Sequence, residues 1–200
     1  MPAVIEDGTE WDELEVTGDH TGTVAAGVHL TGCTVRARLT AVDLANATFT
    51  DCRFEDCDLS GASLEELRAT RVTFLRCRMT GLVVASARFR DVTFEDCKLD
   101  GANLRMTTWE RCRITSCDLH EADVYGAKFG GTPIEGCDLR EVELAKADLT
   151  GCRLHGSRLE GIRSAQQLRG VVLASDQLVP AAEAVLAALG IVIDDERPSG

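Results

Sequence analysis

The sequence predicts an all-β solenoid with four flat sides, because large apolar residues recur at every fifth position from Leu39 to Leu159. Only Ala69 in this series is small. A second series lies two residues earlier, from Ala37 to Ser157, and consists mainly of alanine, cysteine and valine. An α-helix would repeat its apolar face at about 3.6 residues and a strand at about 2. A period of five therefore indicates a coil in which each side points one small and one large residue inward.

Four sides of five residues place residues 20 apart on the same side of the coil. Successive coils should then stack at the ordinary inter-strand spacing of about 4.8 Å. The predicted core consists of the six phenylalanines and a column of cysteines: Phe49, Phe54, Phe74, Phe89, Phe94, Phe129, Cys57, Cys77, Cys97, Cys117 and Cys137. Among these, Phe54, Phe74 and Phe94 are expected to lie directly above one another.

The nine cysteines are predicted to be free thiols packed in the core. Eight belong to the small inward series, and Cys33 fits the same position in the preceding turn. Parallel neighbours in a column do not aim their sulfurs at each other, as a disulfide requires. The chain has no C-x-x-C spacing for a metal. A buried free cysteine packs as a small hydrophobic residue.

The corners between sides are marked by glycine, which relieves backbone strain at Gly61, Gly81 and Gly101 and at later equivalent positions. Pro133 lacks a backbone donor and is expected at a corner as well.

Three segments follow from the pattern. Residues 1–13 are predicted to be a lead-in, with Trp11 covering the first turn, and residues 14–163 to be the solenoid. The inward pair after Val35 arrives one residue early, which indicates a one-residue deletion at a corner within residues 34–38. Residues 164–200 are predicted to contain a helix and a strand.

The predicted C-terminal helix spans Ala181 to Leu189, with a start as early as Ser175, and a strand follows at Ile191–Ile193. The helix is apolar nearly all round and must therefore be covered. One interpretation is a cap over the open end of the coil, which solenoids require. Another adds a two-fold dimer contact, and one surface can serve both. The residues predicted for these roles are Leu178, Val185, Leu186, Leu189, Ile191 and Ile193.

Composition restricts the function. The formal net charge of −12 argues against nucleic acid as a direct ligand, because phosphate binding needs a basic stripe. The acidic N-terminus does not resemble a signal peptide, and the most apolar run, Ala184 to Ile193, is too short to span a bilayer. We expect a cytoplasmic protein with no membrane contact. The histidines are scattered and no catalytic, metal-ligand or phosphate-binding spacing occurs, so neither enzymatic activity nor a cofactor is expected.

Three stretches carry a family resemblance: CDLSGASL (57–64), CKLDGANL (97–104) and AKADLTGCRL (145–154). They resemble the A(D/N)LXX signature of the pentapeptide repeat proteins. The resemblance implies a right-handed, four-sided β-helix, and it implies DNA gyrase as a partner for members of the Qnr and MfpA type, which are linked to fluoroquinolone resistance. Qnr proteins carry projecting loops that matter for protection. The unbroken period here is closer to the loop-free MfpA type, which inhibits gyrase more than it protects it.

The outward positions differ in charge from side to side. The most acidic side is predicted to carry Asp43, Glu65, Glu66, Asp123 and Glu143, offset by Arg105 and Lys146. A mildly basic side carries Arg68, Arg71, Arg88, Arg90, Arg111 and Lys128.

A stiff acidic rod, here roughly 35 Å long, could occupy a basic DNA-shaped groove on another protein. Together with the resemblance, this predicts a dimeric DNA-mimicking gyrase modulator, giving fluoroquinolone resistance or self-protection. The alternative is an interaction scaffold for a partner other than gyrase.

Overall fold

The protein is a four-sided β-solenoid in the computed structural model, which describes residues 4–192. Two sides are parallel sheets of six and seven strands, and the other two are held by single bridges between coils. The strands are β1 (Glu10–Asp12), β2 (Glu15–Asp19), β3 (His29–Thr31), β4 (Thr34–Arg38), β5 (Thr48–Thr50), β6 (Arg53–Glu55), β7 (Arg68–Thr70), β8 (Thr73–Leu75), β9 (Arg88–Arg90), β10 (Thr93–Glu95), β11 (Thr108–Glu110), β12 (Arg113–Thr115) and β13 (Ile134–Glu135). Short 3-10 segments at Ala165–Leu168 and Ser175–Gln177 precede the helix α1 (Leu178–Ala188).

The two sheets follow directly from the coiling. Strands β1, β3, β5, β7, β9 and β11 pair in that order, and β2, β4, β6, β8, β10, β12 and β13 form the second sheet. Every pairing is parallel, and the centre of each three-residue strand faces the interior. The fold class predicted from the period of five is confirmed.

The aromatic core is stacked as the period predicts. The ring centroids of Phe54 and Phe74 lie 4.9 Å apart, and those of Phe74 and Phe94 lie 4.7 Å apart. On the neighbouring side Phe89 and Trp109 are separated by 4.3 Å. These distances are close to the inter-strand spacing, because side chains on parallel in-register strands repeat with the backbone. All of the predicted core residues are buried.

The exception in the large series is compensated locally. Ala69 and Leu67 are each 1% exposed, so the large side chain of this repeat comes from the first inward position instead of the second. The exchange keeps the interior filled without disturbing the pairing of Ala69 with Phe49 and Phe89.

The cysteines are all free and buried. The Cys77 Sγ donates to the Phe54 carbonyl at 3.5 Å, and the Cys97 Sγ donates to the Phe74 carbonyl at 3.4 Å. Burial raises the pKa of Cys52 and Cys152 to about 11, which keeps these thiols protonated. The cysteines therefore act as packing residues, as predicted.

Corner residues adopt the left-handed conformation. Gly61 has a φ of 64° and Glu66 a φ of 58°, so the corner geometry is the same with or without a side chain. A recurrent side-chain bond supports many corners: Asp58 Oδ1 accepts from the amide of Ser60 at 3.0 Å, and Asp148 Oδ1 from that of Thr150 at 3.0 Å. This Asx-turn bond explains why aspartate or asparagine recurs at the position before the large residue.

The first coil starts earlier than predicted. Strand β1 pairs with β3 in register, and Trp11 lies opposite Leu30 in an inward, partly buried position. Trp11 therefore belongs to the coil wall and does not lie over it, and the solenoid begins before residue 14. The one-residue deletion is confirmed: β4 runs straight through residues 34–38, so a corner is missing there. Strand β2 is equally straight and pairs with β4 along its whole length, so the preceding coil lacks the same corner at residues 15–19, which the sequence did not predict.

The C-terminal end of the coil is closed by α1 and the segment before it. Ala181 and Ala184 are buried, and Val185 packs against the core. The buried Gln177 donates to the carbonyls of Leu154 and Ser157 at 2.7 and 2.6 Å. Its side chain thereby satisfies acceptors that a further coil would have bonded.

Two local predictions in this part of the chain need correction. Ile191 and Val192 are not in a strand, and Ile193 lies outside the described residues. Pro133 lies on a flat side directly before β13 and not at a corner, and β13 spans only two residues because proline cannot donate to the ladder. Within residues 4–192 the helices are too short or too polar to cross a membrane.

Replacing Ser86 by glycine is expected to stabilise the fold by about 1 kcal/mol, because Ser86 has a φ of 61° and glycine adopts this region without a Cβ penalty. The matched control is Ser63→Gly on a flat side, which should lower stability by about 0.5–1 kcal/mol. Thermal unfolding of both variants measures the difference. Destabilisation of equal size in both would contradict strain at the corners.

Candidate protein-interaction surface

The five predicted carboxylates lie on one side of the coil, here called the acidic side, whose inward residues include Leu44, Leu64 and Leu104. Asp43, Asp123 and Glu143 belong to one column of bridged residues that runs between Val24 and Arg163. Glu65 and Glu66 occupy the second outward position and the corner of the same side. The sequence period therefore placed all five together.

The five carboxylates are not equivalent. Asp123 is half-buried, accepts from the Tyr125 amide at 2.9 Å and pairs with Arg105 at 2.8 Å. Glu143 accepts from the Ala145 amide at 2.8 Å and is also half-buried. Both therefore help to hold corners of the coil. Asp43, Glu65 and Glu66 are exposed and form no salt bridge within residues 4–192, so they are free to meet a partner.

An aromatic residue missed by the sequence reasoning lies among these carboxylates. The Arg105 guanidinium carbon lies 4.4 Å from the centroid of the Tyr125 ring, and Lys146 Nζ lies 5.0 Å from it. Tyr125 thus joins two basic residues of the acidic side through cation–π contacts. Tyr125 is the single tyrosine of the sequence and occupies an outward position of the repeat. These two facts were the signal by which the sequence could have identified it as a surface contact residue.

The corner beside the acidic side adds two further carboxylates that the sequence reasoning did not include. Glu121 and Glu141 occupy successive corners, and His120 Nε2 lies 3.8 Å from Glu141 Oε1. Ligand atoms of the three residues lie within 4.8 Å of one another. The two glutamates are exposed and the histidine is about one-third exposed. Three open surface ligands fall short of the four that a structural zinc site uses.

Elsewhere on the coil, several acidic corners are neutralised by arginines in the adjacent coil. Arg71 binds Asp51 through two bonds of 2.5 and 2.7 Å, and Arg111 binds Asp91 through two bonds of 2.7 Å. Hydrogen bonding to these arginines lowers the pKa of Asp51 and of Asp91. Because such pairs are absent at Glu65 and Glu66 among the described residues, negative charge persists on the acidic side.

Glu55, in the second sheet, has the densest set of ionic contacts. It accepts from Arg36 at 2.6 Å, from Arg76 at 3.0 Å and from Arg53 at 3.4 Å. Hydrogen bonds from Arg36 and Arg76 lower the pKa of Glu55 from 4.5 to about 2. This network links three successive coils and serves stability.

The predicted C-terminal contact residues are divided between two roles. Val185 packs on the core and Leu186 is half-buried, whereas Leu178 is 68% exposed and Leu189 is 62% exposed. Ile191 is also exposed, and Ile193 lies outside the described residues. The cap therefore leaves an apolar outer surface.

Two family models match the chain. The model of the pentapeptide repeat region matches residues 47–124, and the model of pentapeptide repeats (8 copies) matches residues 21–61 and 134–163. Together they cover most of the solenoid. The chain belongs to the pentapeptide repeat family.

Solved structures of pentapeptide repeat proteins share this fold. A trypsin-treated variant of QnrB1, a plasmid-mediated fluoroquinolone resistance protein, has a TM-score of 0.64 and 22% identity, and the match covers 96% of this chain and 99% of that one. HetL, involved in heterocyst differentiation regulation in the cyanobacterium Nostoc sp. strain PCC 7120, has a TM-score of 0.61 and 18% identity, covering 83% and 85%. No curated protein matches the chain. At these identities the likeness establishes the fold.

Replacing Glu55 by glutamine is expected to lower the melting temperature at pH 7 but not near pH 2. The folded-state pKa of about 2 is below the ordinary 4.5, so the stabilisation is present above the ordinary pKa and is lost as the pH falls through the folded one. Thermal unfolding of wild type and variant across this range measures it. Glu95→Gln is the control, because Glu95 lies two coils along the same column without an ion pair in the described chain. A Glu55→Gln effect independent of pH would contradict the ionic origin.

Proposed function

We propose that this pentapeptide repeat protein binds the DNA-binding groove of DNA gyrase in the cytoplasm and modulates the enzyme, with fluoroquinolone resistance or self-protection as the consequence. The acidic side is the observation that carries the proposal, because it brings five carboxylates together on one side of a stiff coil and leaves three of them, Asp43, Glu65 and Glu66, without an ion pair among the described residues. The fold shared with QnrB1, a fluoroquinolone resistance protein, supports the same proposal.

The coil resembles duplex DNA, the natural occupant of the groove, in its rod shape and in the negative sign of its charge. Asp43 and Asp123 are four coils apart, which corresponds to about 19 Å along the rod. Duplex DNA carries a negative charge for about every 1.7 Å of its axis, so the acidic side is a much weaker polyanion. Binding should therefore depend on the fit of a rigid rod, with electrostatic attraction guiding the approach.

Inhibition of gyrase is the expected form of modulation. The 20-residue register is unbroken from Thr48 to Asp148, through Arg68, Arg88, Thr108 and Lys128. The coil therefore has no projecting loop between these residues, in keeping with the loop-free type of family member that inhibits more than it protects.

A second candidate function is a scaffold for a partner other than gyrase. Tyr125 with Arg105 and Lys146 favours it, because two positive charges and an aromatic ring in the middle of the acidic side are not features of DNA. Tyrosine and arginine are enriched among residues that dominate protein–protein binding energy.

The protein is further proposed to form a dimer through the outer surface of α1 and the residues after it. Leu178, Val179, Leu189, Ile191 and Val192 are all exposed large apolar residues in this short segment. An apolar surface of this kind favours self-association across a two-fold axis.

Purified protein is expected to inhibit gyrase supercoiling, and the Glu65→Lys/Glu66→Lys variant to inhibit about tenfold less, because it reverses unpaired charge on the acidic side. Inhibition should also weaken with added salt. The matched control is Glu95→Lys/Asp96→Lys, an adjacent pair at the same positions of another side.

Three results would separate the alternatives. No effect of wild-type protein on gyrase at tens of micromolar removes gyrase as the target and favours the scaffold. Equal weakening by both charge reversals contradicts a role specific to the acidic side. Inhibition indifferent to salt contradicts the electrostatic mechanism.

Replacing Leu189 by aspartate is expected to convert the dimer to a monomer of 21.6 kDa without a large change in melting temperature, since Leu189 is 62% exposed. Light scattering measures the mass. Val24→Asp places the same substitution on an exposed residue of the first coil and should leave the dimer intact. A wild-type protein that is monomeric would contradict the proposed dimer.

A further inference from the structure

The side formed by the sheet of β1 to β11 carries two arginines stacked in register. Arg68 in β7 pairs with Arg88 in β9, so their side chains leave the sheet about 4.8 Å apart. Both are exposed. Like charges directly opposite each other destabilise a sheet. These two residues therefore contribute no evident stability to the fold.

Neither arginine is neutralised by a carboxylate within residues 4–192, although arginines around them are. Arg71 pairs with Asp51, and Arg90 pairs with Glu110 at 2.8 Å. In the column of Arg68 and Arg88, the adjacent coils contribute Thr48 and Thr108. The positive charge of the column is thus uncompensated over four coils.

A second stacked pair of basic residues shows the usual arrangement. Arg78 and Lys98 are bridged neighbours on another side of the coil. They lie between Asp58 and Asp118 in the same column, so carboxylates flank both ends. Arg68 and Arg88 therefore differ from Arg78 and Lys98 in having no carboxylate in the adjacent coils of their column.

The surface around Arg68 and Arg88 is a recess of about 470 Å³, lined by outward side chains of β7, β9 and β11 and their corners. Thr70 and Thr108 are among the residues of its wall. The recess is open along one side of the rod, so it suits an extended segment better than a small molecule, which proteins usually enclose.

We propose that this recess, centred on Arg68 and Arg88, binds an acidic segment of a partner protein. Guanidinium groups match carboxylates in a two-bond geometry, and two of them in register can hold successive carboxylates. Asp91 and Glu110 also line the recess and would repel the continuous phosphates of a nucleic acid, whereas a protein segment can place carboxylates at the two arginines and other side chains beside these acidic residues. The site lies on a different side from the acidic side and does not depend on gyrase binding.

The test is fluorescence anisotropy with a labelled oligoglutamate peptide at low ionic strength. Wild-type protein is expected to bind it saturably, and the Arg68→Thr/Arg88→Thr variant about tenfold more weakly, because the charge-assisted bonds are lost. Threonine already occupies this column at positions 48 and 108, so the variant should fold. Its melting temperature should be unchanged or higher, since two opposed like charges are removed.

The matched control is Arg78→Thr/Lys98→Thr, which makes the same change of charge on the column flanked by aspartates. It should alter peptide binding less than about twofold. Equal weakening by both variants would show a net-charge effect and overturn the site. Absence of saturable binding to wild-type protein would also overturn it, as would tighter binding of duplex DNA than of the peptide. A large fall in melting temperature for Arg68→Thr/Arg88→Thr would assign the arginines a structural role instead.

Discussion

The structure depends on filling the interior of a narrow coil whose backbone spacing is fixed. Successive strands lie about 4.8 Å apart, so each inward side chain must pack against its equivalents in the coils on either side. The stack of Phe54, Phe74 and Phe94 shows the consequence, with ring separations of 4.9 and 4.7 Å. Small residues must then occupy the other inward position, because two large side chains on each of four sides would not fit. Alanine and cysteine meet this requirement, and Leu67 with Ala69 shows that the order within a repeat can be exchanged.

A second constraint acts at the corners. Each turn of the backbone between two flat sides requires a left-handed residue, whether it is Gly61 or Glu66. The aspartate or asparagine of the repeat stabilises the corner by accepting from the amide two residues later, as Asp58 and Asp148 do. Much of the negative charge on this protein is therefore structural in origin. That distinction matters for function, because Asp123 and Glu143 also hold corners, whereas Asp43, Glu65 and Glu66 do not.

Charge on the surface is organised by adjacency between coils. A carboxylate and an arginine 20 residues apart lie side by side, as Asp51 and Arg71 do, and neutralise each other. Ion pairs of this kind account for many of the charged residues. Glu65, Glu66, Arg68 and Arg88 are among the residues outside such pairs in the described chain, and the fold does not explain their presence. Interaction with partners is the natural role for them on a rod of this kind.

The sequence by itself determined the four-sided coil, the stacked core, the free cysteines and which residues lie on each side. Four sides of five residues make a coil of 20, so each residue lies beside those 20 positions before and after it. The sequence also located one of the two missing corners, at residues 34–38, because the repeat visibly changes phase there; the other, at residues 15–19, was shown by the strand pairing. The period carried no such information at the two ends. The pairing of Trp11 with Leu30 and the absence of a strand at Ile191–Val192 were decided by contacts outside the repeat. Only the tertiary structure showed which carboxylates are engaged, how Tyr125 lies against Arg105 and Lys146, and how Gln177 closes the last coil. These contacts depend on the length and direction of individual side chains. Both differ between residues at the same position of the repeat, so the periodicity does not reveal them.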